Sequence, residues 1–360
     1  MSAALLFAAA HIAAAGWPLS SPRLEPPVQV FTAGQRDVHN QSIGCFRIPA
    51  LVQTRSGLLA FAEGRVGGCR PDVEPDRPIV VRASNDDGAS WGPVRYAVAP
   101  DANASLNYPA PVVLADGTIL LIFHVWQAEH VLATRSSDGG LSWAAPAPVP
   151  SLPAACAEFS PAVLPRPGGG GGGATRLVAA CAGFAALSED GGVSWWRSAG
   201  NVSLGANVTP LGEPTIVADG RAGGLGLSMF VRVSSHDPLR NHALAQSEDG
   251  GETWSAARLL SLEGTSCEGG LGHDPEAAVG ELLLAAPAWS DAGLGGRRNV
   301  SLWTLDGAAR PAAEPGNGTQ VWGGAGGYSA FDSTGGRVRL LFEGGNHIYD
   351  WGVKMSRIRR

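Results

Sequence analysis

Six short segments carry side chains suited to work on an anion: Phe46-Arg47-Ile48-Pro49, Gly212-Glu213-Pro214, Met229-Phe230-Val231-Arg232, Gly296-Arg297-Arg298-Asn299, Gly327-Tyr328-Ser329 and Leu340-Leu341-Phe342-Glu343-Gly344. A guanidinium is a planar fork that meets a carboxylate through two parallel hydrogen bonds, so a carboxylate grip falls to Arg and not to Lys. Glu213 opens an apolar run, where a carboxylate turns inward only if it is paired. It precedes Arg232 by 232 − 213 = 19 residues. The chain has only four tyrosines, so Tyr328 between Gly327 and Ser329 stands out. A lone arginine means little here, because 25 arginines accompany a single lysine, Lys354. Metal chemistry finds no support. The five cysteines lack CxxC spacing, the eight histidines lack HExxH spacing, and His236 and His242 read as loop residues. No cofactor is expected.

The frame that must position these residues is written in a repeat. Ser84 to Trp91 (SNDDGASW), Ser136 to Trp143 (SSDGGLSW), Ser188 to Trp195 (SEDGGVSW) and Ser247 to Trp254 (SEDGGETW) share Ser, Asp, Gly and Trp at fixed places. Their starts lie 52, 52 and 59 residues apart. A period of this size marks units that bury their faces only against neighbours. The Asp can accept backbone N–H groups of a tight hairpin, the Gly allows positive φ, and the Trp packs beneath the turn. The octet resembles the Asp box of bladed β-propellers, most familiar from sialidases. Such boxes disclose the fold and lie away from the chemistry.

Fifty glycines and 26 prolines among short Val, Leu and Ala runs fit an all-β chain of 360 residues. Apolar runs recur before each box, as in Ala50-Leu51-Val52, Gly57 to Phe61 and Ile79 to Arg82 before the first. Residues 274–360 keep the strand rhythm without a full box. Roughly 52 residues per blade gives six blades, with seven as the upper bound. The glycine run Gly168–Gly173 reads as a loop insertion. Met1 to Ala15 resembles a secretory signal peptide, although its first residues lack Lys and Arg, and residues 16–36 form a Pro-rich lead-in to a propeller over 37–360. Sequons at Asn40, Asn103, Asn201, Asn207, Asn299 and Asn317 favour the same secretory route, to a secreted or lysosomal/vacuolar destination. No other run is long enough to span a bilayer. A net charge of −6 gives no reason to expect nucleic acid. Five cysteines allow at most two intrachain bridges and leave one over.

Taken together, Cys45 to Arg357 resembles the exo-α-sialidase family. That resemblance implies a six-bladed β-propeller of four-stranded antiparallel blades with Asp-box hairpins. It implies that Arg47, the Arg of a FRIP motif set before the first blade strand, grips the carboxylate of a sialylated glycan together with Arg232 and Arg297. Arg298 stays open as the alternative to Arg297. Glu343 braces the first arginine, and Tyr328 is the nucleophile with Glu213 as its base. The acid lies in the loop after Phe61-Ala-Glu-Gly-Arg65, where Asp72 is nearer the family's place and Asp76 is the alternative. The chemistry coheres, because a carboxylate nucleophile would be repelled by the substrate's own charge and a neutral phenol would not. A lectin that has lost catalysis, or a hydrolase of Kdn or Kdo, would share much of this pattern.

Overall fold

The computed structural model describes residues 26–353, apart from 70–74, 76, 127–129, 154–155, 157, 159–160, 168–174, 204–208, 211, 235–241, 261, 263–266, 275, 292–295, 307–317 and 333–337. Residues 1–15, Asp72, Asp76, His236, Asn207, Asn317 and the glycine run therefore lie outside the described residues. Alternating short strands and turns build six antiparallel sheets set as the blades of a propeller. Blade I is Cys45–Thr54, Gly57–Arg65, Ile79–Ser84 and Arg95–Val98. Blade II begins with Leu106–Val113, blade III with Ala162–Pro165, blade IV with Thr215–Ala218, blade V with Gly270–Gly272 and blade VI with Gly326–Asp332. Each of these first strands is the innermost of its blade, and the inner strands touch in succession from blade III through blades IV, V, VI and I to blade II. Blade IV carries an extra short strand, Thr209–Pro210, on the strand Leu227–Ser234. Blade VI borrows its outermost strand from the lead-in: Val28–Phe31 runs antiparallel to His347–Val353, with Val28 opposite Asp350.

The hydrophobic cores lie between blades. Phe61, Ile79 and Val81 of blade I meet Ile119, Leu121 and Phe123 of blade II, and comparable clusters fill the other five gaps. Fully burying such a side chain contributes roughly 1.5–3 kcal/mol. The Asp boxes fasten adjacent blades. Each follows the third strand of its blade, and its Trp packs on the preceding blade; Trp143 meets Phe61 edge-on at 5.8 Å. In the third box Gly192 N donates to Ser188 Oγ at 2.9 Å, while the N–H groups of Val193 and Ser194 donate to Asp190 Oδ1 at 3.0 and 2.9 Å. Burial acts to raise the Asp190 pKa, but the hydrogen bonds from Ser194, Ser188 and Val193 prevail and hold it at about 2. At this end of the axis a cavity of about 420 Å³ is lined by the inner strands of all six blades, at Gln53, Val113, Val163, Val217, His273 and Asp332 among others.

Three local expectations are corrected. Phe46–Pro49 lies inside the first strand, not before it, because a bulge between Arg47 and Ala50 lets the strand continue through the motif. His242 is no loop residue: it opens the strand His242–Ser247, is buried, and packs its ring at a tilt against Phe230, 5.0 Å between ring centres. Upstream, the Pro-rich stretch reaches into the sheet, as the pairing of Val28–Phe31 shows.

Because the box carboxylates are hydrogen-bonded in the folded chain, their folded pKa lies below the unfolded value. The stability they contribute is complete above the ordinary Asp pKa and is lost as pH falls towards about 2. Asp190→Ala is expected to cost about 1 kcal/mol at neutral pH, the solvent-screened share of such bonds, and to do so progressively less in acid. Thermal unfolding of both proteins across acid pH measures this.

Candidate active site

At the end of the axis away from the boxes, the inner strands break their regular pairing. Register shifts fall between Arg47 and Ala50, Asn107 and Ala110, and Gly326 and Ser329. Ile48 (φ 53°), Tyr108 (φ 54°) and Glu213 (φ 51°) are left-handed there. Bulges of this kind re-aim side chains, and left-handed non-glycine residues cost on the order of 1–3 kcal/mol each unless their surroundings hold them. Carboxylates do the holding. Ile48 N donates to Glu343 Oε1 at 2.8 Å and Tyr328 N to Glu343 Oε2 at 3.3 Å. Tyr108 N donates to Glu63 Oε1 at 3.1 Å, Ser329 N to Glu268 Oε2 at 3.0 Å, and Glu213 N to Glu158 Oε2. Gly327 has to lack a side chain, since a Cβ there would collide with the Glu343 carboxylate.

The same carboxylates receive the arginines. Arg47 Nε donates to Glu343 Oε1 at 3.1 Å and its Nη2 to Glu343 Oε2 at 3.3 Å. Arg232, on the strand adjacent to the one Glu213 introduces, is ion-paired with Glu213 Oε2. Tyr328 donates its hydroxyl to Glu213 Oε1, and the Tyr108 hydroxyl approaches the same oxygen at 3.4 Å. The guanidinium carbons of Arg47 and Arg297 lie 4.9 and 5.3 Å from the centre of the Tyr328 ring. Arg298 is exposed and its backbone bridges to Ala325. Burial acts to lower the pKa of Arg47, Arg232 and Arg297, yet Glu343 beside the first, Glu213 beside the second, and Cys267 and then Tyr328 near the third leave all three raised and charged. Burial, then the charge of Glu213, pushes the Tyr328 phenol well above its ordinary value, so it is neutral at neutral pH.

Arg47, Glu213, Arg232, Arg297, Tyr328 and Glu343 therefore share one end of the axis, and Asp72 lies outside the described residues. Sequence reading missed other members of the cluster. Glu63 and Arg65 form a buried ion pair of 2.6 Å, and Asn107 donates to Glu63 at 3.2 Å. Cys267, whose thiol burial pushes up to about 12, packs with Ile48, Tyr108 and Tyr328 beneath the site. Glu268 is fully buried and accepts from Thr215 Oγ1 at 3.3 Å as well as from Ser329 N, so it ties the strand after Glu213 to the strand of Tyr328. An acidic residue in an apolar stretch, as in Cys267-Glu268-Gly269, was the available signal. Among the described residues no cluster of His, Cys, Asp and Glu could hold a metal ion.

Six blades with Asp-box hairpins and an arginine–tyrosine–glutamate cluster at one end of the axis define an Asp-box propeller. The chain belongs to the BNR repeat-like domain family, whose model matches residues 56–266. Solved structures share the fold at low identity. The Hadza microbial sialidase Hz136 is 20% identical with a TM-score of 0.69, over 92% of this chain and 68% of that one. A variant of the NanB sialidase of Streptococcus pneumoniae is 15% identical with a TM-score of 0.71, over 94% and 72%. The sialidase of Trypanosoma rangeli, as a covalent intermediate with 2,3-difluorosialic acid, is 18% identical with a TM-score of 0.65, over 94% of this chain and 60% of that one. No curated protein matches the chain.

Burial, more than any other influence, raises the Glu268 pKa well above the carboxylate range. A group protonated in the folded chain and ionised in the unfolded one costs stability as pH rises from the unfolded pKa towards the folded one. Glu268→Gln, which mimics the protonated form, is therefore expected to match the wild type in acid and to melt higher at alkaline pH. Glu268→Ala, which leaves Ser329 N without its acceptor, is expected to melt lower throughout, by about 1–3 kcal/mol. Melting curves across pH check both.

Proposed function

We propose that the chain is an exo-α-sialidase, a retaining glycoside hydrolase that releases terminal sialic acid from glycoproteins, glycolipids or oligosaccharides. The observation that carries this reading is the hydroxyl of Tyr328 on Glu213, under three arginines charged despite burial. The substrate carboxylate is gripped by Arg47, Arg232 and Arg297, which orients the anomeric carbon over Tyr328. The phenol oxygen attacks that carbon as its proton passes to Glu213 Oε1. The leaving oxygen takes a proton from the loop acid, for which Asp72 is the candidate and Asp76 the alternative. Water then attacks the tyrosyl glycoside. The loop carboxylate takes the water's proton, and Glu213 returns its own to the departing phenolate. Glu343 holds Arg47 and the Tyr328 backbone in place throughout. The covalent intermediate described for the T. rangeli sialidase supports this route.

Two disulfides, Cys45–Cys69 and Cys156–Cys181, and exposed sequons at Asn40, Asn103 and Asn201 support a secretory location, secreted or lysosomal/vacuolar. Among the described residues no helix is long and apolar enough to cross a membrane.

Tyr328→Phe removes one oxygen and keeps the ring beneath the arginines. Turnover of a fluorogenic sialoside is expected to fall at least about a hundredfold, while affinity for a non-hydrolysable sialic acid analogue stays near wild type. Near-normal turnover would remove Tyr328 from the reaction; a wild type that binds the analogue but hydrolyses no sialoside, Kdn or Kdo conjugate is a lectin. Arg232→Lys keeps the charge and loses the fork, and is expected to weaken analogue binding by about 1.5–3 kcal/mol. Unchanged affinity in calorimetry would place Arg232 outside the grip.

A further inference from the structure

Glu158 has no part in the mechanism above, yet it touches the residue on which that mechanism turns. It stands in the connection from blade II to blade III, 55 residues before Glu213. Its carboxylate accepts the backbone N–H of Glu213, in a turn where Gly212 (φ 84°) and Glu213 (φ 51°) are both left-handed. Consecutive residues in turn conformations aim their N–H groups into a small concavity that suits an anion. Gly212 leaves room for it, since a Cβ there would stand 3.1 Å from Glu158 Oε2 and 3.3 Å from Oε1. This turn sets the direction of the Glu213 side chain, and hence both of its contacts, to Tyr328 and Arg232.

The charged groups that face Glu158 are Glu213, from the turn it holds, and Arg232, from the strand Leu227–Ser234. We propose, resting on the sialidase reading, that Glu158 is a positioning and affinity-determining residue: its carboxyl group anchors the Gly212–Glu213 turn, and its ionisation weakens the hold of Arg232 on the substrate carboxylate. A neutral Glu158 still accepts the Glu213 N–H through its carbonyl oxygen, so the turn survives protonation. An ionised one adds a negative charge beside a cation that already serves Glu213, and an incoming carboxylate then meets a weaker field. Burial foremost, opposed by the Glu213 N–H bond, then aided by the Glu213 charge and opposed by Arg232, brings the Glu158 carboxyl to about 7.

The test is calorimetric binding of a thio-linked methyl sialoside, which keeps its carboxylate and resists hydrolysis, to full-length wild type, Glu158→Gln and Glu158→Ala across pH. Wild-type affinity is expected to fall roughly three- to tenfold as pH rises through about 7, a tenfold change being about 1.4 kcal/mol of charge–charge coupling. Glu158→Gln keeps an acceptor for Glu213 N and carries no charge, so its affinity is expected to match the acid-side wild type at every pH. Glu158→Ala is expected to lose the pH dependence and also turnover, through a misdirected Glu213; should it not fold, the Gln variant decides alone. A wild type whose affinity is flat through this range, or a Gln variant with the same alkaline loss, overturns the assignment. Since binding is read without turnover, a wild type that binds with this pH dependence but hydrolyses nothing overturns the proposed activity and leaves Glu158 standing. Failure to bind at any pH overturns both.

Discussion

Charge neutralisation governs this molecule's working end. Arg47, Arg232, Arg297 and the fully buried Arg65 are drawn into one region where water is scarce, and an unpaired buried charge would cost several kcal/mol. Glu343, Glu213 and Glu63 answer three of them directly. Each of these acids is also engaged elsewhere: Glu343 and Glu63 take N–H groups released where strands bulge, and Glu213 takes the Tyr328 phenol. Electrostatics and backbone shape are thus settled by the same bonds. Removing Glu343 or Glu63 would leave both a cation and a strained strand bulge unsupported.

This economy explains why Tyr328 can be neutral among so many charges. Its hydroxyl faces an acid already engaged by Arg232, two guanidiniums lie near its ring, and its surroundings oppose a second negative charge. A phenolate here is stable only while a cation or a carbon shares its charge. Ile48, Tyr108 and Cys267 are buried against it.

Much of this was legible in the chain. The Asp boxes are local, each made of bonds spanning two to four residues, so eight letters suffice to declare one. Glu213 stands just before one strand of blade IV and Arg232 on the strand paired with it, so their separation of 19 carries over as a spacing. Glu158 and Tyr108 were illegible because their partners lie 55 and 105 residues away, across blades, where no spacing rule reaches. Blade VI shows a different blindness. A box needs the third and fourth strands joined by a hairpin, and here the fourth is Val28–Phe31, some three hundred positions upstream of the third. The missing motif records a cut in the ring, not a missing blade.

That cut has a consequence for how the molecule comes into being. A ribosome makes Val28–Phe31 early and His347–Val353 more than three hundred residues later, so the first strand waits, unpaired, through the synthesis of every blade. Pairings of such long sequence separation are slow to form and leave an open edge in the meantime. Blades I to V can stack as they emerge, each on the last, but the arc cannot become a ring until its last strands are out. Arg47 and Glu343, held on opposite sides of that seam, meet only then.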